Sequence, residues 1–205
     1  MTVQDVIDAA NSSELINVYN KPDNIKNAAL LNWINQSIVA IAKKIPLIDK
    51  EIVYTLVTDA IAGSNDTYEL PVDCLKVTAV YGEQGKELPV NDETDIDSVF
   101  TPSFNRLLVP GSTLGGFISV VYSAKPDKLI SVSDTLPVNE IFLECILSYI
   151  SSKAYKSMDS NDSTRVLSAT YMNNFYSELN LVIESGMYNT DGIKEHSHFD
   201  RGGWI

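Results

Sequence analysis

The residues best placed by type and spacing to do chemistry are His196, His198 and Asp200, two imidazoles and a carboxylate that could together offer three ligands to a transition metal. They lie in a stretch, 187–205, that has no apolar periodicity to hold a ligand set or a second shell in place, so no metal site is assigned. These are also the chain's only two histidines. An activated Ser, Cys or Thr needs a positioned base, and both histidines lie in that stretch, a poor place for a preorganised site. Asp92, Glu93, Asp95 and Asp97 form an acidic run, but acid–base work requires one carboxylate in a cleft, so the run is read as an exposed connection. Gly111, Gly115 and Gly116 stand between two strand-like runs without the helix N-terminus that would hold a phosphate. Cys74 and Cys145 are far apart in apolar surroundings and read as buried free thiols, as expected of a reducing compartment. Catalytic residues, cofactor and metal are therefore all assigned as none.

The elements that would position any site follow from periodicity. Val3, Val6, Ile7 and Ala10 predict a short first helix, ended at Asn11-Ser12-Ser13. Ala28, Leu31, Ile34, Ile38, Ile41 and Ile45 predict a second helix up to Pro46, with Asn32, Asn35, Gln36, Lys43 and Lys44 on a wet face. The period then changes. Ile52–Thr58 is β-branched and aromatic, Gly63–Asp66 reads as a turn, and Leu75, Val77, Ala79 and Tyr81 alternate with Lys76, Thr78 and Val80. Gly82–Gly85 predicts a hairpin into Glu87–Val90, and Arg106–Val109 and Phe117–Tyr122 supply two more strands. About five short strands make a small antiparallel sheet or sandwich.

Proline marks the boundaries, because it fixes φ and drives its predecessor out of the helical region. Leu70-Pro71 lies near the start of the β region, and Asp134–Pro137 opens a helix with proline near its first position. Ile141–Ile150 has almost no polar face and reads as a helix buried on most sides. Asn161-Asp162-Ser163 can cap a last helix with the stripe Leu167, Tyr171, Phe175, Leu179, Val182 and Ile183, and Gly186 sits where a helix terminator belongs. These two helices should pair as a hairpin.

The fold class expected is α+β, a helical bundle domain interrupted by a small antiparallel β domain, with an extended C-terminal tail. The domain reading is N-terminal helices over 1–50, an inserted β domain over 51–133, a helical hairpin over 134–186 and a tail over 187–205. Met187, Tyr188, Phe199, Trp204 and Ile205 in that tail are bulky groups that could anchor in another chain's pocket, and they form the candidate partner interface.

Over 205 residues, 27 acidic against 15 basic side chains give a net charge of −12. This excess opposes binding to DNA phosphates or an anionic bilayer. The first residues lack the basic start and apolar run of a signal peptide, and Ile141–Ile150 is too short to span a membrane, so neither export by that route nor a membrane partner is expected.

Three stretches carry a resemblance to the head-to-tail adaptor proteins of short-tailed bacteriophages, the tail tubular or connector family. Leu30–Ile38 through Ile45-Pro46 is similar to that family's long N-terminal helix. Thr67–Val77, with Tyr68-Glu69-Leu70-Pro71, resembles its approach to the β region. Tyr122–Pro126, Leu136-Pro137 and the helix from Ile141 to Tyr155 resemble its exit and C-terminal helical pair. The resemblance implies a structural virion protein with no enzymatic activity, assembled in the host cytoplasm and resident in the tail or neck. It implies a homo-oligomeric ring, a dodecamer, between portal protein and tail nozzle protein, with tail fibres as a further partner. Genome DNA would pass through without specific binding, repelled by carboxylates. A virion-associated lytic enzyme, with an acid among Asp92–Asp97, and a soluble metal-binding protein, using His196 and His198, are the competing readings.

Overall fold

The computed structural model describes residues 1–12, 23–56, 65–103, 105–111, 116–158 and 162–186. The described elements are four helices and two small antiparallel sheets, so the fold is α+β. By contact density the chain separates into two compact units, one of residues 1–34 with 130 onward, the other of residues 35–129.

In the helical unit, α1 (Val3–Ser12) buries Val3, Val6, Ile7 and Ala10, the four positions its periodicity selects. Its start is a reciprocal cap: Asp5 N–H donates to Thr2 Oγ1 at 3.3 Å and Thr2 N–H donates to Asp5 Oδ2 at 2.7 Å. Val3 N–H and Gln4 N–H, which a helix leaves without internal partners, donate to the carbonyls of Asp134 and Val132 at 3.0 and 2.9 Å. Residues 131–136 thereby lie beside α1 as a turn, closed by Asp134 N–H on Ser131 C=O, followed by a bridge from Thr135 to Thr2. The helix expected at Pro137 accordingly begins later. Asn139 Oδ1 accepts from Ile141 N–H and caps a 3₁₀ turn, Glu140–Phe142, and α3 (Leu143–Ser157) follows directly.

Helix α2 (Asp23–Ala42) runs through the division between the units. Its buried stripe is Leu30, Trp33, Ile34, Ile38 and Ile41, so Ala28, expected inside, is exposed. Asn35, expected to be wet, is half-buried. Its Nδ2 donates to Leu129 C=O at 3.0 Å and its Oδ1 accepts from Leu129 N–H at 2.8 Å.

Helices α3 and α4 (Asp162–Ser185) pair as the expected hairpin. Ser152 Oγ donates to Ser168 C=O and Ser168 Oγ to Ser152 C=O, at 2.8 and 2.9 Å, so two small side chains lock the backbones close together. Tyr155 stacks on Tyr171, and Phe175, fully buried, meets Tyr149 edge-on at 5.2 Å. Phe175, Leu179 and Val182 of the expected stripe are buried, whereas Leu167 is 39% exposed. Gly186 ends the helix at φ +66°, a conformation open to glycine at little cost.

Among the described residues the β unit holds seven strands: β1 (Asp49–Thr55), β2 (Asn65–Glu69), β3 (Cys74–Gly82), β4 (Glu87–Leu88), β5 (Phe100–Ser103), β6 (Arg106–Pro110) and β7 (Phe117–Ala124). They form a sheet in the order β1-β7-β3-β4 and another in the order β2-β6-β5, around one core that includes Leu70, Val80, Leu107 and Val120. Asn65 and Asp66, expected in a turn, pair with Pro110 and Val109; the other turn residues, Gly63 and Ser64, lie outside the described residues. The alternation expected along β3 fails at Thr78. Val77 pairs with Tyr122 and Ala79 with Val121, so Thr78 is an extra residue, and the bulge turns Val80 from the polar face into the core, where it is fully buried. The hairpin at Gly82–Gly85 forms as expected, with Gly85 at φ +73°.

Two substitutions test this account by urea denaturation. Asn35→Ala deletes both bonds to Leu129 and should cost about 1–3 kcal/mol. Phe175→Ala should cost about 3–5 kcal/mol through the cavity and the lost ring contacts. Values near zero would remove these residues from the account.

Candidate functional site

The described surface with the most chemical character is a cleft of about 480 Å³ at the loop end of the α3–α4 hairpin, lined from the last turns of α3 and the first turns of α4. The close approach at Ser152 and Ser168 forms part of its lining, and Met158 and Met172 supply apolar surface. Lys153, Lys156 and Arg165 also line it. Lys153 lies over the Tyr149 ring with Nζ 5.0 Å from its centroid. Lys156, in the last turn of α3, complements that helix's dipole, whereas Arg165, in the first turn of α4, stands at the positive end of its own helix. Asp162, three residues before Arg165, offsets part of that charge. Sequence reasoning did not single out this cleft, because its three cations come from two helices and only the hairpin brings them together.

The acidic run expected as an exposed connection is an ordered turn on the β unit. Asn91 adopts φ +57°, and its side chain bonds Thr101 through both amide atoms, Oδ1 accepting from Thr101 N–H at 2.8 Å. Asp92 Oδ1 accepts from Thr94 N–H and Thr94 Oγ1, at 2.9 and 2.6 Å, and Asp95 Oδ1 accepts from Asp97 N–H at 2.9 Å. Ser98 Oγ accepts from Asp92 N–H and closes the turn. The Thr94 bonds hold the Asp92 carboxyl below its ordinary value, opposite to what a general acid needs. Ile96, 85% exposed, projects from this run.

Other titratable clusters read as structure. Lys50 Nζ donates to Asp73 Oδ2 at 2.6 Å, and Tyr122 OH donates to Asp73 Oδ1 at 3.3 Å. This bond raises the Lys50 ammonium and lowers the Asp73 carboxyl. Cys74 and Cys145 are free thiols, Cys74 half-buried and Cys145 buried, the latter pushed up to about 12 by desolvation and so inert as a nucleophile. Among the described residues no group of three His, Cys, Asp or Glu stands close enough to hold a metal ion. Met187, Tyr188, Phe199, Trp204 and Ile205, together with His196, His198 and Asp200, lie outside the described residues. No described helix is long and apolar enough to cross a membrane.

An ordered acidic turn and a cationic cleft are the two concentrations of charge on the described surface. The family model described as SU10 adaptor protein matches residues 1–193, and the chain belongs to that family. Its role is therefore that of a structural adaptor of a bacteriophage particle, in a family of structural proteins rather than enzymes. No curated protein matches the sequence. A chain in a solved structure described as "Neck of empty GTA particle computed with C6 symmetry" is similar at 13% identity, over 83% of this chain and 88% of that one, with a TM-score of 0.29.

One half-buried acid gives a pH test of the hairpin. Desolvation raises the Glu178 carboxyl above its ordinary 4.5, Ser148 Oγ–H donating at 3.2 Å opposes the shift, and Glu144 adds to it. The folded chain therefore keeps this proton to higher pH than the unfolded chain. The associated stability is complete below the ordinary glutamate value and is lost as pH rises through the raised one. Glu178→Gln should flatten that part of the stability profile and leave the variant at least as stable as the parent at neutral pH, by thermal melting across the acidic range. A parallel decline in both proteins would contradict the assignment.

Proposed function

We propose that this chain is a head-to-tail adaptor whose copies form a ring, joining the portal protein above to the tail nozzle protein below in the neck of the virion. The observation that carries this reading is membership of an adaptor family across residues 1–193. A ring of about twelve copies would match a portal of that symmetry, each copy using one surface toward each neighbour. The chain's own features support a structural role: Lys50 and Asp73 are tied to each other, Asp92 is tied to Thr94, Glu178 is desolvated in the hairpin, and an Arg and two Lys gather in one cleft.

The net charge of −12 suits a conduit for DNA, because carboxylates repel phosphates and let the genome pass without specific binding. Met187, Tyr188, Phe199, Trp204 and Ile205 are the proposed anchors on the portal, since aromatic side chains supply most of the energy of many interfaces. Tail fibres are a further proposed partner. Assembly takes place in the host cytoplasm before the neck is complete.

Electron microscopy of the chain mixed with portal complexes of the same phage tests the reading directly. It should show an added ring on the portal, and particles of bare portal at saturating chain would overturn it. Deleting residues 187–205 should weaken portal binding by at least about 30-fold, the loss of a single strong anchor. Unchanged binding would remove the tail from the interface while leaving the ring in place.

A further inference from the structure

The α3–α4 cleft and the Asp92–Asp97 turn are opposite in charge, and each sets charged side chains around an apolar group. The cleft offers Lys153, Lys156 and Arg165 around the apolar surface of Met158 and Met172. The turn offers Asp92, Glu93, Asp95 and Asp97 around Ile96, an isoleucine 85% exposed and set between two carboxylates. Among the described residues Lys156 and Arg165 enter no ion pair, although acidic side chains outnumber basic ones by 27 to 15 in the chain. A cation in the first turn of a helix is disfavoured by the helix dipole, a cost that Asp162 three residues earlier offsets only in part. Methionine is the side chain best able to reshape around an inserted branched residue. The cleft volume, about 480 Å³, lies within the range of pockets that enclose a small group.

The turn is built in advance. Bonds from Asn91 to Thr101, from Thr94 to Asp92 and from Asp97 to Asp95 fix its backbone, so little ordering entropy remains to be lost when it docks. Copies carrying −12 each repel one another, and association needs a contact where opposite charges meet locally. Cleft and turn are different surfaces of one chain, and a contact between unlike surfaces runs head to tail, the form that generates a ring rather than a closed dimer.

We propose that the Asp92–Asp97 turn of one copy seats in the α3–α4 cleft of its neighbour, with Ile96 against Met158 and Met172 and the carboxylates against Lys153, Lys156 and Arg165. The inference rests on the ring proposed above and names its subunit contact.

Two full-length variants test it in the portal-binding assay, each checked for native circular dichroism. One carries Lys156→Glu with Arg165→Glu; the other carries Glu93→Lys, which spares the Asp92 and Asp95 carboxylates that hold the turn. Each alone should lower ring occupancy at least about tenfold, more steeply at low salt, and an equimolar mixture should recover part of it, because each variant's altered surface then meets its opposite. Independently, chains carrying Ile96→Cys and Met172→Cys should form a disulfide-linked dimer on mixing and oxidation in the ring, and neither should do so alone. Full rings from both variants without that cross-link would overturn the contact and leave the ring reading intact. No ring from the unaltered chain would remove both. Loss of DNA retention on the cleft variant, with self-association unchanged, would reassign the cleft to phosphate and overturn the proposal.

Discussion

The β unit is sealed at its mouth by one side-chain amide against one peptide. Asn35 lies on α2 and Leu129 on the chain leaving the sheets, 94 residues later, and both amide atoms of Asn35 pair with the Leu129 backbone. Closing a segment of that length costs about 4 kcal/mol in chain entropy, more than the roughly 1–3 kcal/mol that two such bonds contribute net. The bonds therefore do not bring the ends together. The antiparallel ladder between β1 and β7, first and last strands of the unit, does that from Asp49↔Ser123 to Thr55↔Phe117. Once the ladder holds them, Asn35 fixes their register as a strand neighbour would and satisfies backbone groups that would otherwise lie half-buried without partners.

That division of labour explains why the seal is hard to read in a sequence. Asn35 falls off the apolar stripe of α2 at helical spacing, which marks it as solvent-facing, and its partner is a main-chain group that leaves no signature in residue type. Periodicity reports only the face an isolated element would bury. Where the burying surface is local and repetitive, as for Val3, Val6, Ile7 and Ala10 in α1 or Phe175, Leu179 and Val182 in α4, the pattern and the core agree. Where the chain departs from regular geometry they part. Thr78 adds one residue to β3 and reverses the facing of Val80, and nothing about a threonine in a strand announces a bulge. Pro137 misplaced a helix start for a related reason: the stretch before it is committed to α1's unpaired N–H groups, so Asn139 does the capping.

The candidate site was less legible than the fold. Sequence attention went to residues with distinctive chemistry, histidines and tail aromatics, while the cleft is made of common lysine, arginine, serine and methionine contributed by separate helices. Only the short interhelical distance set by Ser152 and Ser168 turns those residues into a cavity. The acidic run was legible as exposed, but its order was not, because the order resides in bonds between neighbouring side chains and backbone rather than in composition.

The two charged surfaces also bear on what the acid excess can and cannot do. A uniform excess of carboxylate would keep copies apart in solution and keep DNA off the protein, yet would oppose every contact between copies with equal force. Gathering cations into a cleft breaks that uniformity at one place. Acidic side chains still outnumber basic ones by 12, so the long-range field stays negative, while at contact distances the cationic cleft decides which surface of another acidic chain can approach. Salt screens the first effect over about 8–10 Å and weakens exposed pairs at the rim, but it acts far less on charges desolvated beside an apolar contact. In the proposed contact a side chain such as Ile96, held among carboxylates on a turn that is already ordered, would join the apolar and ionic terms in one docking element. Orientation then comes from the charges and adhesion from the apolar contact, a combination that favours one relative placement of copies without requiring a large sticky surface on the free chain.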